Sequence, residues 1–225
     1  MEIEVILLHK DFSNISFVYS PCDLSYIDEV IKKFNEKANE IINFFHLENF
    51  TKPILIKFWD TIDDFEKNMP CSGDHVIGGT MCTKEKYLIY VLTYQEMVKR
   101  KGHAHKQIED IPKLLLHEFV HVCHMEKLGH TPNVMWLREG LAVTLSNQYE
   151  GRKPKLDCSV EDIIQGKTFY DHYHTICDYI LKAYGEEYLY TLALHEDIAH
   201  AQTKQLFEEA YNWVLEKQNQ SSLTK

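Results

Sequence analysis

The alternation of hydrophobic and polar positions predicts a first half of the chain that contains β-strands. Runs rich in Ile, Val and Phe, bounded by turn-forming residues, predict strands at 2–8, 14–20, 54–59 and 86–93. The polar stretch 10–14 is a predicted turn, so the first two strands should form a hairpin. Between residues 75 and 83, Gly78 and Gly79 are expected to break any regular strand.

Apolar residues spaced three and four apart predict helices along the rest of the chain. In the first half these are 24–47 and a short helix over 62–69, for which Asp60-Thr61 is the predicted N-cap. The second half is helical throughout. Its predicted helices are 110–128, 135–149, 160–165, 170–184, 186–194 and 203–217, and residues 218–225 are expected to fray.

These elements predict one α+β domain of two lobes. Residues 1–105 form an N-terminal lobe with a mixed β-sheet and helices, and residues 106–225 form a helical lobe. The basic segment 99–105 links them, and its His103 and His105 are better explained as loop residues than as metal ligands. A chain of 225 residues is long enough to bury a sizeable core in this arrangement.

Charge and composition narrow the class of protein. The 34 acidic and 24 basic residues leave a net charge of −10, which argues against nucleic-acid binding because that binding neutralises phosphates. No apolar run is long enough to span a membrane, and residues 1–4 do not resemble a signal peptide. The six cysteines are scattered without a C-x-x-C pair, which indicates reduced thiols and a cytoplasmic protein.

The candidate chemistry lies in the predicted helix 110–128, which contains the pattern H-E-x-x-H. His117 and His121 lie one turn apart on one helix face, where two imidazoles can bind a single zinc ion at about 2.0–2.1 Å. Glu118 follows at about 100° around the helix, beside the metal, where it can take a proton from water. Two histidines on an apolar helix can also be ordinary core residues, so the motif needs a further ligand.

Glu139 is the candidate for the third ligand. It lies on the next predicted helix after a short loop, in the stretch Trp136-Leu137-Arg138-Glu139-Gly140-Leu141-Ala142. A zinc site with an open catalytic position takes three protein ligands, so one carboxylate would complete it. His124 shares the helix face of His117 and is expected to pack nearby or to support a ligand.

Together the two motifs resemble the gluzincin zinc metallopeptidases, the peptidase MA-like group. That group joins H-E-x-x-H to a glutamate ligand in a W-x-x-E-G-x-A context, and the resemblance extends over about residues 50–195. It implies one zinc ion per chain, held by His117, His121 and Glu139, with Glu118 as general base. The metzincin pattern does not match, because His124 and Lys127 occupy the positions that it requires to be Gly and His.

The resemblance also implies two further features of the site. A tyrosine facing the zinc lies about four helical turns before a Tyr-Gly helix end in small gluzincins, and Tyr170 is the nearest match, with His172, Tyr173 and His174 as alternatives. A glycine-containing turn would lead into an edge strand at 87–92 that holds an extended peptide. The alternative is that the glycines form a plain bulge and 87–92 is a buried strand. The stretch lacks the G-x-M-E-N signature of gluzincin aminopeptidases.

We therefore expect a zincin-like α+β fold with zinc in the cleft between the lobes. The expected function is zinc-dependent hydrolysis of a peptide or protein substrate, without nucleic-acid or membrane partners. The alternative is a catalytically inactive or specialised zinc module that binds a protein partner. The presence of Glu118 favours the enzyme, because an inactive module has no need of a general base.

Overall fold

The computed structural model of the chain describes residues 7–69, 73 and 75–223, and their contacts divide them into two compact units. The first unit comprises residues 7–42 and 47–122, and the second comprises 43–46 and 123–223. The protein is α+β, as the sequence predicts. No helix in the described ranges is long and apolar enough to cross a membrane.

A mixed β-sheet is the centre of the first unit. Its strands are β1 (Leu8–Phe12), β2 (Ile15–Tyr19), β3 (Ile54–Trp59), β4 (Gly78–Cys82) and β5 (Tyr87–Leu92). Their order across the sheet is β1-β2-β3-β5-β4; β2, β3 and β5 run parallel, and β1 and β4 are antiparallel to their neighbours. The strictly alternating burial of β3 puts Ile54, Ile56 and Phe58 into the core.

The predicted hairpin is confirmed, but its first strand was predicted too early in the chain. Leu8 pairs with Tyr19 and Phe12 with Ile15, so residues 10–12 belong to a strand and not to the turn. The connection is short, and Ser13 turns it with a φ of 54°. Most of β1 is exposed, which is why its sequence shows no apolar alternation. The predicted strand residues 2–6 lie outside the described residues.

The prediction that Gly78 and Gly79 break any regular strand is wrong. Strand β4 begins at Gly78 and includes both glycines. Gly78 pairs with Val91 and Cys82 with Tyr87, and among the described residues β4 is the last strand of the sheet on this side. Of the two alternatives for 87–92, the edge strand is therefore wrong and the buried strand is confirmed, because β5 lies between β3 and β4 and is almost entirely buried. Backbone pairing needs no side chain, and the structure selects glycine here because the space beside Gly78 is already filled.

Helices cover the sheet of the first unit. They are α1 (Ile27–Phe44, of which the last two residues belong to the second unit), α2 (Ile62–Asn68), α3 (Tyr94–Met97) and the larger part of α4 (Asp110–Leu128). Thr61 caps α2 by accepting the Asp64 N–H, as predicted. Phe34 of α1 packs edge-to-face against both Phe17 of β2 and Phe119 of α4, and all three rings are fully buried.

The second unit is helical. It contains the end of α4, followed by α5 (Met135–Leu145), α6 (Val160–Ile164), α7 (Tyr170–Ala183), α8 (Glu186–Leu194) and α9 (Glu196–Leu223). Two of these helices differ from their predicted lengths. Helix α5 ends four residues early, followed by Asn147 with a φ of 56°, and α9 begins before and continues beyond the predicted 203–217. Residues 224–225 of the expected frayed end lie outside the described residues.

Candidate functional site

His117 and His121 converge on one point beside α4. Their Nε2 atoms lie 3.2 Å apart, and the two rings are nearly perpendicular, at 87°. His117 is buried, and His121 is half-buried. The helix is predicted correctly to the residue, since Asp110 begins it and Gly129, with a φ of 77°, follows its end.

This separation is a test of whether the pair fits a metal ion. Two nitrogens bound at about 2.0–2.1 Å to one tetrahedral zinc ion stand about 3.3 Å apart. The observed 3.2 Å therefore fits two ligands of the same ion without rearrangement. The same distance also allows one neutral imidazole to donate a hydrogen bond to the other, so the geometry defines two alternatives that experiment can separate.

Glu118 lies against the sheet of the same unit. Its carboxylate is buried, and its Oε2 accepts a hydrogen bond from the Thr80 hydroxyl at 2.9 Å. The same hydroxyl lies 3.0 Å from the Glu118 backbone carbonyl. Sequence reasoning missed Thr80, because its only signal was its place two residues after Gly78 in a stretch predicted not to form a strand.

Glu139 lies in α5 of the second unit and is buried. Arg138 donates from Nε to the Glu139 Oε1 at 2.9 Å, and its Nη1 donates to the Pro132 carbonyl at 3.3 Å. Arg138 therefore forms an ion pair with the residue that follows it in sequence. The charge-assisted bond holds the carboxylate in one orientation.

The residues around Glu139 fix α5 within the second unit. Gly140 lies against α7, where an added Cβ would be 2.9 Å from the Tyr173 carbonyl oxygen and 2.6 Å from the Cys177 Sγ. Glycine is required there because the two helix backbones approach so closely. Tyr173 is buried beside this contact; burial and, to a smaller extent, the charge of Glu139 raise the pKa of its phenol.

Tyr170 occupies the first position of α7 and is 41% exposed. Its ring lies 6.1 Å from that of Tyr173. The two histidines of the same stretch have local partners: His172 Nε2 lies 2.7 Å from Asp157 Oδ1, and His174 Nδ1 lies 3.0 Å from the Thr144 hydroxyl. Of the four candidates for an oxyanion donor, Tyr170 has the most exposed side chain.

His124 takes part in the packing of the second unit. Its ring stacks on Phe45 with centroids 5.5 Å apart, and its Nε2 lies 2.9 Å from the Ala193 carbonyl. His103 bonds to a distant loop that precedes β4, with its Nε2 2.9 Å from the His75 carbonyl. Cys71 lies outside the described residues; the other five cysteines are free thiols.

A scan against models of known protein families and a search of curated proteins both found no match to this chain. The assignment of function therefore depends on the two motifs and on the geometry described above.

Proposed function

We propose that the protein is a zinc-dependent metallopeptidase with a zincin-like fold. The observation that carries the proposal is the 3.2 Å separation of the His117 and His121 Nε2 atoms, which suits two ligands of one zinc ion. Both atoms belong to α4, and Glu118 of the same helix is buried. This is the arrangement that hydrolysis by an activated water requires.

Glu139 is the proposed third ligand. Within the part of the chain that the structure describes, His117, His121 and Glu139 offer one ligand atom each of the kinds that zinc accepts. We propose that these three side chains hold a single ion. Arg138 would engage one oxygen of Glu139 while the other binds the metal.

The chain supplies the remaining chemistry. When bound, the zinc ion would polarise the scissile carbonyl and lower the pKa of water toward about 7. Glu118 takes a proton from the attacking water and delivers it to the leaving amine. The phenol O–H of Tyr170 donates a hydrogen bond to the oxyanion that develops on the substrate. The exposure of Tyr170 makes it suitable for this role.

The proposed substrate is a peptide or protein. The net charge of −10 supports a partner other than nucleic acid, and the five described free thiols support a reducing, cytoplasmic environment.

The metal content of the purified protein tests the proposal. We expect about one zinc per chain by mass spectrometry, strongly reduced in Glu139→Ala and retained in the exposed control Glu150→Ala. Glu118→Gln should keep the zinc but abolish cleavage in a peptide library, whereas Glu109→Gln, at an exposed position before α4, should cleave normally.

Two results would overturn the proposal. A wild-type protein that takes up no zinc even after zinc is added back would leave His117 and His121 as a hydrogen-bonded core pair. A zinc-loaded protein that cleaves nothing in the library, and that retains a stable protein partner in a pull-down, would instead be a zinc-dependent binding module.

A further inference from the structure

The edge strand β4 is bonded to the proposed general base. Thr80 lies in the middle of this strand, opposite Ile89 of β5. Its hydroxyl has one proton to donate and two acceptors within reach: the Glu118 Oε2 at 2.9 Å and the Glu118 backbone carbonyl at 3.0 Å. Both partners belong to the residue that the proposed mechanism uses as its base.

Gly78 faces the same carboxylate. Residues 78 and 80 lie on one face of the strand because side chains alternate along it. A Cβ added to Gly78 would lie 3.4 Å from the Glu118 Oε1, 3.3 Å from Val91 and 3.2 Å from Leu114. The two carboxylate oxygens thus both lie beside β4, with Oε2 bonded to Thr80 and Oε1 in the space that the missing side chain of Gly78 leaves.

We propose that Thr80 is a positioning residue for Glu118, and that Gly78 provides the room for the carboxylate in that orientation. A base must lie within hydrogen-bond reach of the proton that it abstracts, so a carboxylate free to rotate spends less time in the productive orientation. The bond from Thr80 restricts this rotation. The consequence for catalysis rests on the proposed function, whereas the bond itself does not.

A double-mutant cycle on the metal-free protein tests the bond. Thr80→Val, Glu118→Ala and the double variant are unfolded in urea. If the hydroxyl binds the carboxylate, Thr80→Val should lower the urea midpoint clearly more in the wild-type background than in the Glu118→Ala background. Equal shifts in both backgrounds would mean that Thr80 bonds only to the backbone carbonyl, which overturns the proposal. If Thr80→Val does not fold, Thr80→Ala replaces it.

Turnover of a peptide found in the library tests the positioning. Thr80→Val should lower kcat by at least about tenfold with KM and zinc content unchanged, given that a 1 Å misplacement can cost up to about 10²-fold. Thr80→Ser keeps the hydroxyl and should recover most of the rate. Cys82→Ser, exposed on the same strand, is the matched control and should behave as wild type.

The outcomes separate the two proposals. An unchanged kcat in Thr80→Val, or a Thr80→Ser variant as slow as Thr80→Val, overturns the positioning role. A wild-type protein without turnover overturns the proposed function instead, and the unfolding cycle still decides whether Thr80 holds the Glu118 carboxylate.

Discussion

The indole N–H of Trp136 donates a hydrogen bond to the Thr203 hydroxyl at 3.0 Å, across 67 residues of sequence. Both side chains are buried, and the hydroxyl in turn donates to the Ala199 carbonyl at 2.9 Å. The bond ties α5 to α9 in the second unit. The indole ring is buried, and this bond gives its nitrogen the polar partner that a buried N–H needs.

Replacing Thr203 by Val should destabilise the protein. The indole N–H would be left buried without its acceptor, which costs about 1–3 kcal/mol of unfolding free energy. Urea denaturation measures the loss. Thr203→Ser keeps the hydroxyl and should lose clearly less; equal losses in the two variants would contradict a role for the hydrogen bond.

Gly140→Ala should also lower the unfolding free energy, by roughly 1–3 kcal/mol as for other overpacked sites. The new Cβ meets the Cys177 sulfur at 2.6 Å and the Tyr173 carbonyl oxygen at 2.9 Å. The double variant Gly140→Ala/Cys177→Ala removes only the first contact. Once the cost of Cys177→Ala alone is subtracted, we expect the double variant to regain part of the unfolding free energy that Gly140→Ala loses. If it regains all of that loss, the contact with the backbone carbonyl is unimportant.

His174 should make stability fall in mild acid. Burial lowers the pKa of this imidazole below its ordinary value of 6.5, so the folded protein resists a proton that the unfolded chain accepts. As pH falls below about 6.5, proton uptake therefore favours unfolding. The unfolding free energy, measured in urea from pH 7 to 5, should fall more steeply in wild type than in His174→Gln.

A matched variant tests the origin of this pH dependence. Thr144→Val removes the hydroxyl 3.0 Å from the His174 Nδ1 but leaves the buried imidazole able to titrate. The unfolding free energy of Thr144→Val should therefore still fall steeply as the pH is lowered. Identical slopes for wild type and His174→Gln would rule out His174 as a source of acid sensitivity.

Zinc should stabilise the folded protein if the proposed site is correct. At a free zinc concentration of about 100 times Kd, binding to the folded state adds about 2.7 kcal/mol to the unfolding free energy. Thermal unfolding with zinc and after chelation should show this difference in wild type and in the exposed control His105→Ala. It should vanish in His121→Ala. If zinc stabilises His121→Ala as much as wild type, or no longer stabilises His105→Ala, zinc binds at a different site.

Elements with a strong local pattern were predicted well. Helix α4 has an acidic start, an apolar interior and a glycine after its end, and its predicted bounds are those of the structure. Strand β3 follows Pro53 and alternates, and it too is confirmed. In both cases the signals that set the ends lie within a few residues of the element.

The errors concern relations between distant segments. Strand β4 contains two glycines and has little apolar pattern, so its pairing with β5 cannot be read locally. For the same reason β5 was given the wrong position in the sheet. The side chains that bond Glu118 and Glu139 lie at different distances along the sequence. Arg138 adjoins Glu139, whereas Thr80 is 38 residues from Glu118.

The sequence by itself determined the candidate chemistry, because helical periodicity alone puts His117 and His121 on one face with Glu118 beside them. Only the tertiary structure decided what holds these groups. It brought Gly78 and Thr80 of the edge strand to the Glu118 carboxylate, and Trp136 to Thr203. The physical reason is that a helix forms from contacts three and four residues apart, while sheet order and buried polar partners depend on packing between segments far apart in the chain.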